Sequence, residues 1–144
     1  MNLPHFLGIL ADAYRCAKDA GAGLDVIDEA LAIAAKNQDR CWEPELLRLK
    51  GELLLVAHGA TGAFVTDAMR VDARTHFERA IELAAQQRSR SLQLRAALSL
   101  ARILAAGGDR DDGRRVVADA LGSLPAGLRT PDVDEARLLI EAPL

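Results

Sequence analysis

Aromatic residues are scarce in this chain: they make up 3% of its 144 residues, although half of the residues are hydrophobic. The core must therefore be built mostly from alanine, leucine, valine and isoleucine, a mixture that suits helices approaching each other closely. Strand signals are nearly absent as well, and the pair Val116-Val117 lies inside a helical pattern. The sequence predicts an all-α protein, and at this length a single domain over residues 1–144.

Other absences exclude several classes of function. The net charge is −3 and the basic residues are dispersed, so we expect no nucleic-acid partner. No apolar run approaches about 18 residues, and the N-terminus lacks the basic start of a signal peptide, so we expect no membrane association. Cys16 and Cys41 form no C-x-x-C pair and are interpreted as small, reduced, apolar residues of a cytoplasmic protein.

Helical periodicity recurs along the whole chain and is punctuated by glycine at 21, 59, 62, 107 and 108. We expect helices at about 3–20, 24–37, 42–57, 67–87, 91–106, 110–122 and 131–141. Pro4 and Pro44 suit the first turns of their helices, where a missing N–H costs nothing. Thr130, Pro131 and Asp132 give the last helix a capping hydroxyl, a first-turn proline and an acid at the positive end of the dipole.

Small residues recur in register along these helices. The first helices of three pairs align on Ala11, Gly51 and Ala101. The second helices repeat a small–large–small pattern, as Gly23-Ile27-Ala30, Ala73-Phe77-Ala80 and Gly113-Val117-Ala120. The two small residues of a pair are 12 positions apart in the first and third pairs and 22 apart in the middle pair, which has a longer connection. This pattern is typical of the tetratricopeptide (TPR) repeat, in which small residues let two helices touch and a large one fills the gap.

Four longer segments carry a more specific resemblance: ELLRLKGELLL (45–55), FERAIELA (77–84), SLQLRAALSLAR (91–102) and TPDVDEARLLI (130–140). Through them the chain resembles the C-terminal TPR region of bacterial multidomain signalling ATPases, where a cyclase or a transcriptional-regulator domain precedes the ATPase and the repeats. The fit is poor around 58–68, and nothing corresponding to the upstream domains is present. With the repeat pattern, the resemblance implies an α-solenoid of about three TPR-like hairpins (3–37, 42–87, 91–122) and a C-terminal capping helix (131–141).

Catalytic and metal chemistry find little support. Asp72 and His76 stand four residues apart, as two ligands on a helix would, but they border the stripe around Phe77 and no H-E-x-x-H spacing occurs. The glycine-rich stretch at 58–64 lacks the Gly-Lys-Ser/Thr of a phosphate loop. The serines at 89, 91, 99 and 123 are interpreted as caps or surface residues. We therefore expect no enzyme, no cofactor and no metal.

The concave face offers a better candidate site. In TPR stacks the first helix of each pair lines the groove where partners dock, and the register assigns fifteen positions to it. They are His5, Gly8, Asp12, Arg15, Cys16, Glu45, Arg48, Glu52, Leu55, Val56, Arg95, Leu98, Arg102, Ala105 and Ala106. The charged candidates for partner binding are Asp12, Arg15, Arg48, Glu52, Arg95 and Arg102, with arginine suited to carboxylate capture. Asp12 and Glu52 stand where chaperone-binding members carry a carboxylate clamp, so that activity is not expected. An ordinary solvated face stays an open alternative.

Two roles follow as hypotheses. The first is a non-catalytic interaction module that binds a protein or peptide in the groove, or packs against the ATPase of a parent protein. The second is an effector-sensing domain that binds a small molecule and relays it to a cyclase or transcriptional output domain. Because the first pair begins almost at residue 1, we also expect an exposed apolar face there and a homodimer through the N-terminal repeat.

Overall fold

The structure, a computed structural model, describes residues 2–57 and 66–142. Over these residues the chain forms seven α-helices and no strand. They are α1 (Leu3–Cys16), α2 (Ala20–Asn37), α3 (Glu43–Ala57), α4 (Asp67–Gln86), α5 (Arg90–Gly107), α6 (Arg110–Gly122) and α7 (Pro131–Glu141). The all-α prediction is confirmed. None of these helices is long and apolar enough to span a membrane. The glycine-rich stretch at 58–64 lies outside the described residues. The structure contains a helix at each of the seven predicted places.

Two predicted helix boundaries are wrong. We expected the first helix to reach residue 20 and the second to begin at 24, but α1 ends at Cys16 and α2 begins at Ala20. Lys18 has a left-handed backbone with φ of 61°, which stops α1. The carboxylate of Asp19 then accepts a hydrogen bond from the amide of Ala22 and caps α2. Gly21 therefore lies inside α2, and the turn between the two helices is made by Lys18 and Asp19.

The other capping predictions are confirmed. The hydroxyl of Thr130 accepts from the amide of Val133 over 3.2 Å, with Pro131 at the first position of α7. Pro4 and Pro44 both lie in the first turn of their helices.

Four helices end in the same way. The amide that follows a left-handed residue bonds back across five positions: Asp19 to Tyr14, Asp39 to Ala34, Ser89 to Ala84 and Asp109 to Leu104. This is the hydrogen bond of a Schellman motif, which satisfies a carbonyl left unpaired at the helix end. The four endings share the register of the small residues: 19 and 109 close the first helices of two pairs, while 39 and 89 close second helices. The repetition therefore extends from the packing positions to the helix ends.

The helices make two kinds of contact, one between neighbours in the chain and one between every other helix. Each helix packs on the next, and the odd-numbered helices α1, α3, α5 and α7 also contact one another in succession. Each of α2, α4 and α6 lies against the two odd helices that flank it in the chain. The odd helices therefore form one row, and the surface that this row presents opposite the even helices is called the row face below.

The small residues lie where the helices touch. Gly51 of α3 faces Phe77 of α4 so closely that a Cβ at Gly51 would lie 2.6 Å from the ring. A Cβ at Gly113 of α6 would meet the backbone of Ala101 in α5 at 3.2 Å. A side chain at Gly51 would force the Phe77 ring to shift, and one at Gly113 would push α5 and α6 apart by a few tenths of an ångström, so glycine lets both helix pairs pack this closely. The residues of the small–large–small pattern are all buried, as predicted.

The core is distributed along the row in three clusters. One joins α1, α2 and α3 around Ile27 and Leu53, one joins α4 and α5 around Phe77, and one joins α5, α6 and α7 around Val117 and Val133. Alanine supplies many of the remaining buried positions, in keeping with the scarcity of aromatic residues. A core of this form holds the odd helices side by side and so fixes the row face.

Candidate functional site on the row face

The row face carries two adjoining cavities. The first holds about 190 Å³ and is lined by residues of α1 and α3 with Trp42 and Arg95: His5, Gly8, Ile9, Asp12, Trp42, Glu45, Leu46, Leu49 and Arg95. The second holds about 300 Å³ and is lined almost entirely by charged residues: Asp12, Arg15, Glu45, Arg48, Arg95, Leu98, Arg102 and Asp132. Asp12, Glu45 and Arg95 belong to both. The two cavities form one continuous surface, apolar at the α1 end and charged toward α7.

The structure brings most of the predicted groove residues together here. Of the six charged candidates, Asp12, Arg15, Arg48, Arg95 and Arg102 line the second cavity. Glu52 lies directly beneath it, 3.6 Å from Arg48 and 3.9 Å from Arg102 between charged atoms. These six charged side chains therefore lie close together on the row face.

Arg48 is the most enclosed of these cations, with only 11% of its side chain exposed. Its Nε and Nη2 atoms both donate to the carboxylate of Glu45, each over 2.9 Å, and its Nη1 reaches the hydroxyl of Ser99 at 3.4 Å. Burial lowers the pKa of Arg48, but the hydrogen bonds and charge of Glu45, together with Glu52 and Asp12, outweigh burial and raise it. Arg48 is therefore permanently charged and already fully engaged within the protein.

Arg95 joins three helices. From α5 it donates to Glu45 of α3 over 3.2 Å and to Asp132 of α7 over 3.3 Å. Its pKa is affected first by burial, which lowers it, and then by the charges of Glu45 and Asp132, which raise it overall. Almost half of the side chain is nevertheless exposed.

Arg102 repeats this arrangement two turns further along α5. It lies 3.9 Å from Glu52 of α3 and 2.5 Å from Glu135 of α7. Half of its side chain is exposed. Both arginines therefore tie α7 to the rest of the row, and both keep an edge available to solvent.

Ser99 is one residue that sequence reasoning missed. It was interpreted as a cap or surface residue, but it is 1% exposed and lies in the middle of α5. Its hydroxyl donates to Glu52 over 2.7 Å. No sequence signal could have shown this, since the partner is 47 positions away and only the packing of α5 on α3 brings the two together. Among the described residues, no buried side-chain nitrogen or oxygen lacks a hydrogen-bond partner.

The apolar end of the row face is formed by an aromatic pair that the sequence did not indicate. The rings of His5 and Trp42 stack with their centroids 4.1 Å apart. His5 stands on α1, and Trp42 lies just before α3, so the stack joins two helices of the row. Ile9 lies beside it and is half exposed.

The remaining candidates lie elsewhere. The Nδ1 atom of His76 lies 3.0 Å from the main-chain oxygen of Asp72 and 3.9 Å from its carboxylate, on the rim of α4. Cys16 and Cys41 are both free and exposed, so neither contributes to the core. Within residues 2–57 and 66–142, no group of three or more His, Cys, Asp or Glu side chains is arranged to hold a metal ion.

Comparison with protein-family models, with curated proteins and with solved structures found no significant match to this chain. Its function is therefore argued from its own geometry.

Proposed function

We propose that this chain is a non-catalytic protein-interaction module, a TPR-like solenoid of three helix hairpins and a capping helix, that binds a partner protein or peptide along its row face. The observation that carries the proposal is the continuity of the two cavities across α1, α3, α5 and α7. A surface that crosses several parallel helices suits an extended segment or a partner helix better than a compact substrate.

The chemistry of the row face supports a partner that carries both apolar and acidic side chains. Trp42, His5 and Ile9 offer an apolar anchor site, and aromatic residues are enriched where binding energy concentrates. Arg95 and Arg102 offer guanidinium edges at the charged end, each already balanced by a carboxylate. A partner with an apolar side chain beside a carboxylate would fill the first cavity and share an arginine at the second.

Neither of these two cavities suits the effector-sensing alternative. Sites that enclose small molecules usually hold about 300–1,000 Å³ and are mostly apolar. Here the apolar cavity holds about 190 Å³, and the cavity of about 300 Å³ is lined by charges that pair with one another. Partner binding is the function that the face favours.

The resemblance to the TPR regions of bacterial signalling ATPases supports the same proposal. In that setting the partner is another protein or the ATPase module of the parent chain, and the compartment is the cytoplasm. The residues that bear the resemblance include Glu45, Arg48, Glu52, Arg95 and Asp132, all of which lie at the row face.

The test is a binding experiment with charge reversals. The purified chain is used to isolate partners from its source cells, and the affinity of each purified partner is then measured for Arg95→Glu and Arg102→Glu. Each reversal removes a guanidinium edge that a partner carboxylate would share and puts a negative charge in its place, so we expect affinity to fall at least tenfold, with circular dichroism checking that the helical signal is kept.

Arg115→Glu is the matched control. Arg115 is an exposed arginine of α6 that pairs with Asp112 on the same helix and lies off the row face. If no partner distinguishes the row-face reversals from Arg115→Glu, the row face is not the binding surface. Arg48→Glu is unsuitable for this purpose, because its burial would make the reversal a test of folding.

A further inference from the structure

Helix α1 carries an uncovered apolar stripe that borders the first row-face cavity at Ile9. Four large apolar side chains make it up: Leu3, Phe6, Ile9 and Leu10. Phe6 and Ile9 are 57% and 55% exposed, which is unusual for side chains of this size. Of the six large apolar side chains that are exposed in the described part of the chain, these four are the only ones that stand together.

The repeat register shows what this stripe corresponds to. Phe6 lies five positions before Ala11, as Leu46 lies before Gly51 and Ala96 before Ala101. Leu46 and Ala96 are each only 1% exposed. The same side of the helix is therefore an interface in α3 and α5, where the preceding helices of the row cover it.

The next position in the register agrees. Ile9 corresponds to Leu49 and Ser99, which are 2% and 1% exposed. Leu46 and Leu49 belong to the cluster formed with α1 and α2, and Ser99 bonds to α3. In α1 this side is open to solvent in the described part of the chain, although the register makes it a packing surface.

The stripe carries no ionisable group. The charged residues of α1 lie on its other sides, where Asp12 and Arg15 pair over 2.7 Å, and His5 stacks on Trp42. A partner must therefore offer an apolar helix of its own, since a charge placed against the stripe would be desolvated without compensation.

A second copy can meet this stripe in two ways, and its chemistry selects one. Stacking head to tail would place α7 on the stripe, and the exposed Leu138 of α7 has Asp134, Glu135 and Glu141 as its neighbours three or four positions away. Those carboxylates would be brought against apolar side chains. Pairing stripe to stripe brings only apolar side chains together and, if the helices are antiparallel, opposes their dipoles favourably.

We propose that this protein forms a symmetric homodimer in which the Leu3–Phe6–Ile9–Leu10 stripe of α1 packs antiparallel against the same stripe of a second copy. The stripe is short, about 11 Å along the helix axis at 1.5 Å per residue. Stable interfaces bury about 800 Å² per partner, more than four partly exposed side chains provide. The dimer is therefore reversible and depends on concentration. This inference does not rest on the proposed function of the row face.

The test measures molecular mass by sedimentation equilibrium over protein concentrations of roughly 10 µM to 1 mM, the range in which a weak dimer forms. The wild-type chain is expected to pass from monomer to dimer and no further. Ile9→Glu should weaken the dimer at least tenfold, since it removes apolar burial and places a charge in the contact, and Phe6→Ala should weaken it about tenfold.

Leu138→Glu is the control, because Leu138 is another large exposed side chain, on α7. The control should dimerise like the wild-type chain. Circular dichroism identifies any variant that has lost helicity, and Phe6→Ala, which introduces no charge, then replaces Ile9→Glu as the decisive change. A wild-type chain that stays monomeric over the whole range overturns the proposal. So do oligomers larger than a dimer, or a dimer that Leu138→Glu weakens and the α1 variants do not, because either indicates a different contact.

Discussion

The hydroxyl of Ser99 donates a hydrogen bond of 2.7 Å to the carboxylate of Glu52, and this bond joins α5 to α3 beneath the row face. Glu52 also lies within ion-pair distance of Arg48 and Arg102. Ser99 thus turns a set of charges on separate helices into one connected network, in which each member restrains the others.

Ser99→Ala should therefore lower the free energy of unfolding by about 1–2 kcal/mol, as expected for a buried hydrogen bond to a charged group that keeps other partners. Urea denaturation would measure the change. Ser91→Ala is the control, because Ser91 is an exposed serine of the same helix, and it should alter stability by less than about 0.5 kcal/mol. Equal effects of the two substitutions would show that the Ser99–Glu52 bond contributes nothing.

Gly51 and Phe77 provide a second prediction. A Cβ at residue 51 would lie 2.6 Å from a Phe77 ring that is fully buried and cannot move aside. Gly51→Ala should destabilise the protein by about 1–3 kcal/mol through overpacking, even though alanine favours the helix by about 1 kcal/mol.

Gly21→Ala is the matched substitution for that experiment. Gly21 also lies in a helix, but the nearest atom to its added Cβ is 4.0 Å away. It should stabilise the protein by about 0.4–1 kcal/mol. Thermal melting of both variants measures the contrast, and a stabilising Gly51→Ala would mean that α3 and α4 are not held this closely.

Ala73 and His76 separate packing from chemistry on α4. Ala73 is fully buried beside Phe77, Leu100 and Leu104. His76 lies at the edge of the buried side of α4, where its side chain is partly exposed. Ala73→Leu should cost about 1–3 kcal/mol because the added methylenes have no space. His76→Ala should cost no more than about 1 kcal/mol, since it removes one exposed contact to the main chain. Melting temperatures in the reverse order would give His76 a structural role that its contacts do not explain.

Much of the helical architecture could be predicted because it depends on local signals. The helix positions follow from apolar periodicity, and the cap at Thr130 and the first-turn position of Pro4 follow from the chemistry of helix ends. The turn at Lys18 and Asp19 could not be placed, because a lysine in the left-handed conformation leaves no mark in the sequence. The apolar pattern of α1 seemed to continue through the turn, and this displaced both boundaries.

The candidate site was predictable as a set of positions and unpredictable as a set of contacts. The register placed Arg95 and Arg102 on the groove side, but their pairing with Asp132 and Glu135 depends on where α7 packs. The stack of His5 on Trp42 has the same origin, since the two residues come from different helices. Long-range partners are a property of the packed row, and one helix read alone cannot reveal them.

The reactivity of Cys41 gives a prediction that depends on pH. Desolvation raises the pKa of its thiol, and the carboxylate of Asp39 raises it further because a nearby negative charge disfavours the thiolate. Only the thiolate is alkylated, so a raised pKa leaves less reactive sulfur near neutral pH.

The experiment uses a Cys16→Ser background, which leaves Cys41 as the only cysteine. When the rate of iodoacetamide alkylation is plotted against pH, its midpoint should lie at higher pH than for cysteine in an unstructured peptide. Asp39→Asn should move that midpoint to lower pH by removing the charge, while Asp28→Asn, a change at an acid paired with Lys50, should leave it in place. A Cys41 midpoint at or below that of the peptide would show that neither desolvation nor the charge of Asp39 disfavours this thiolate.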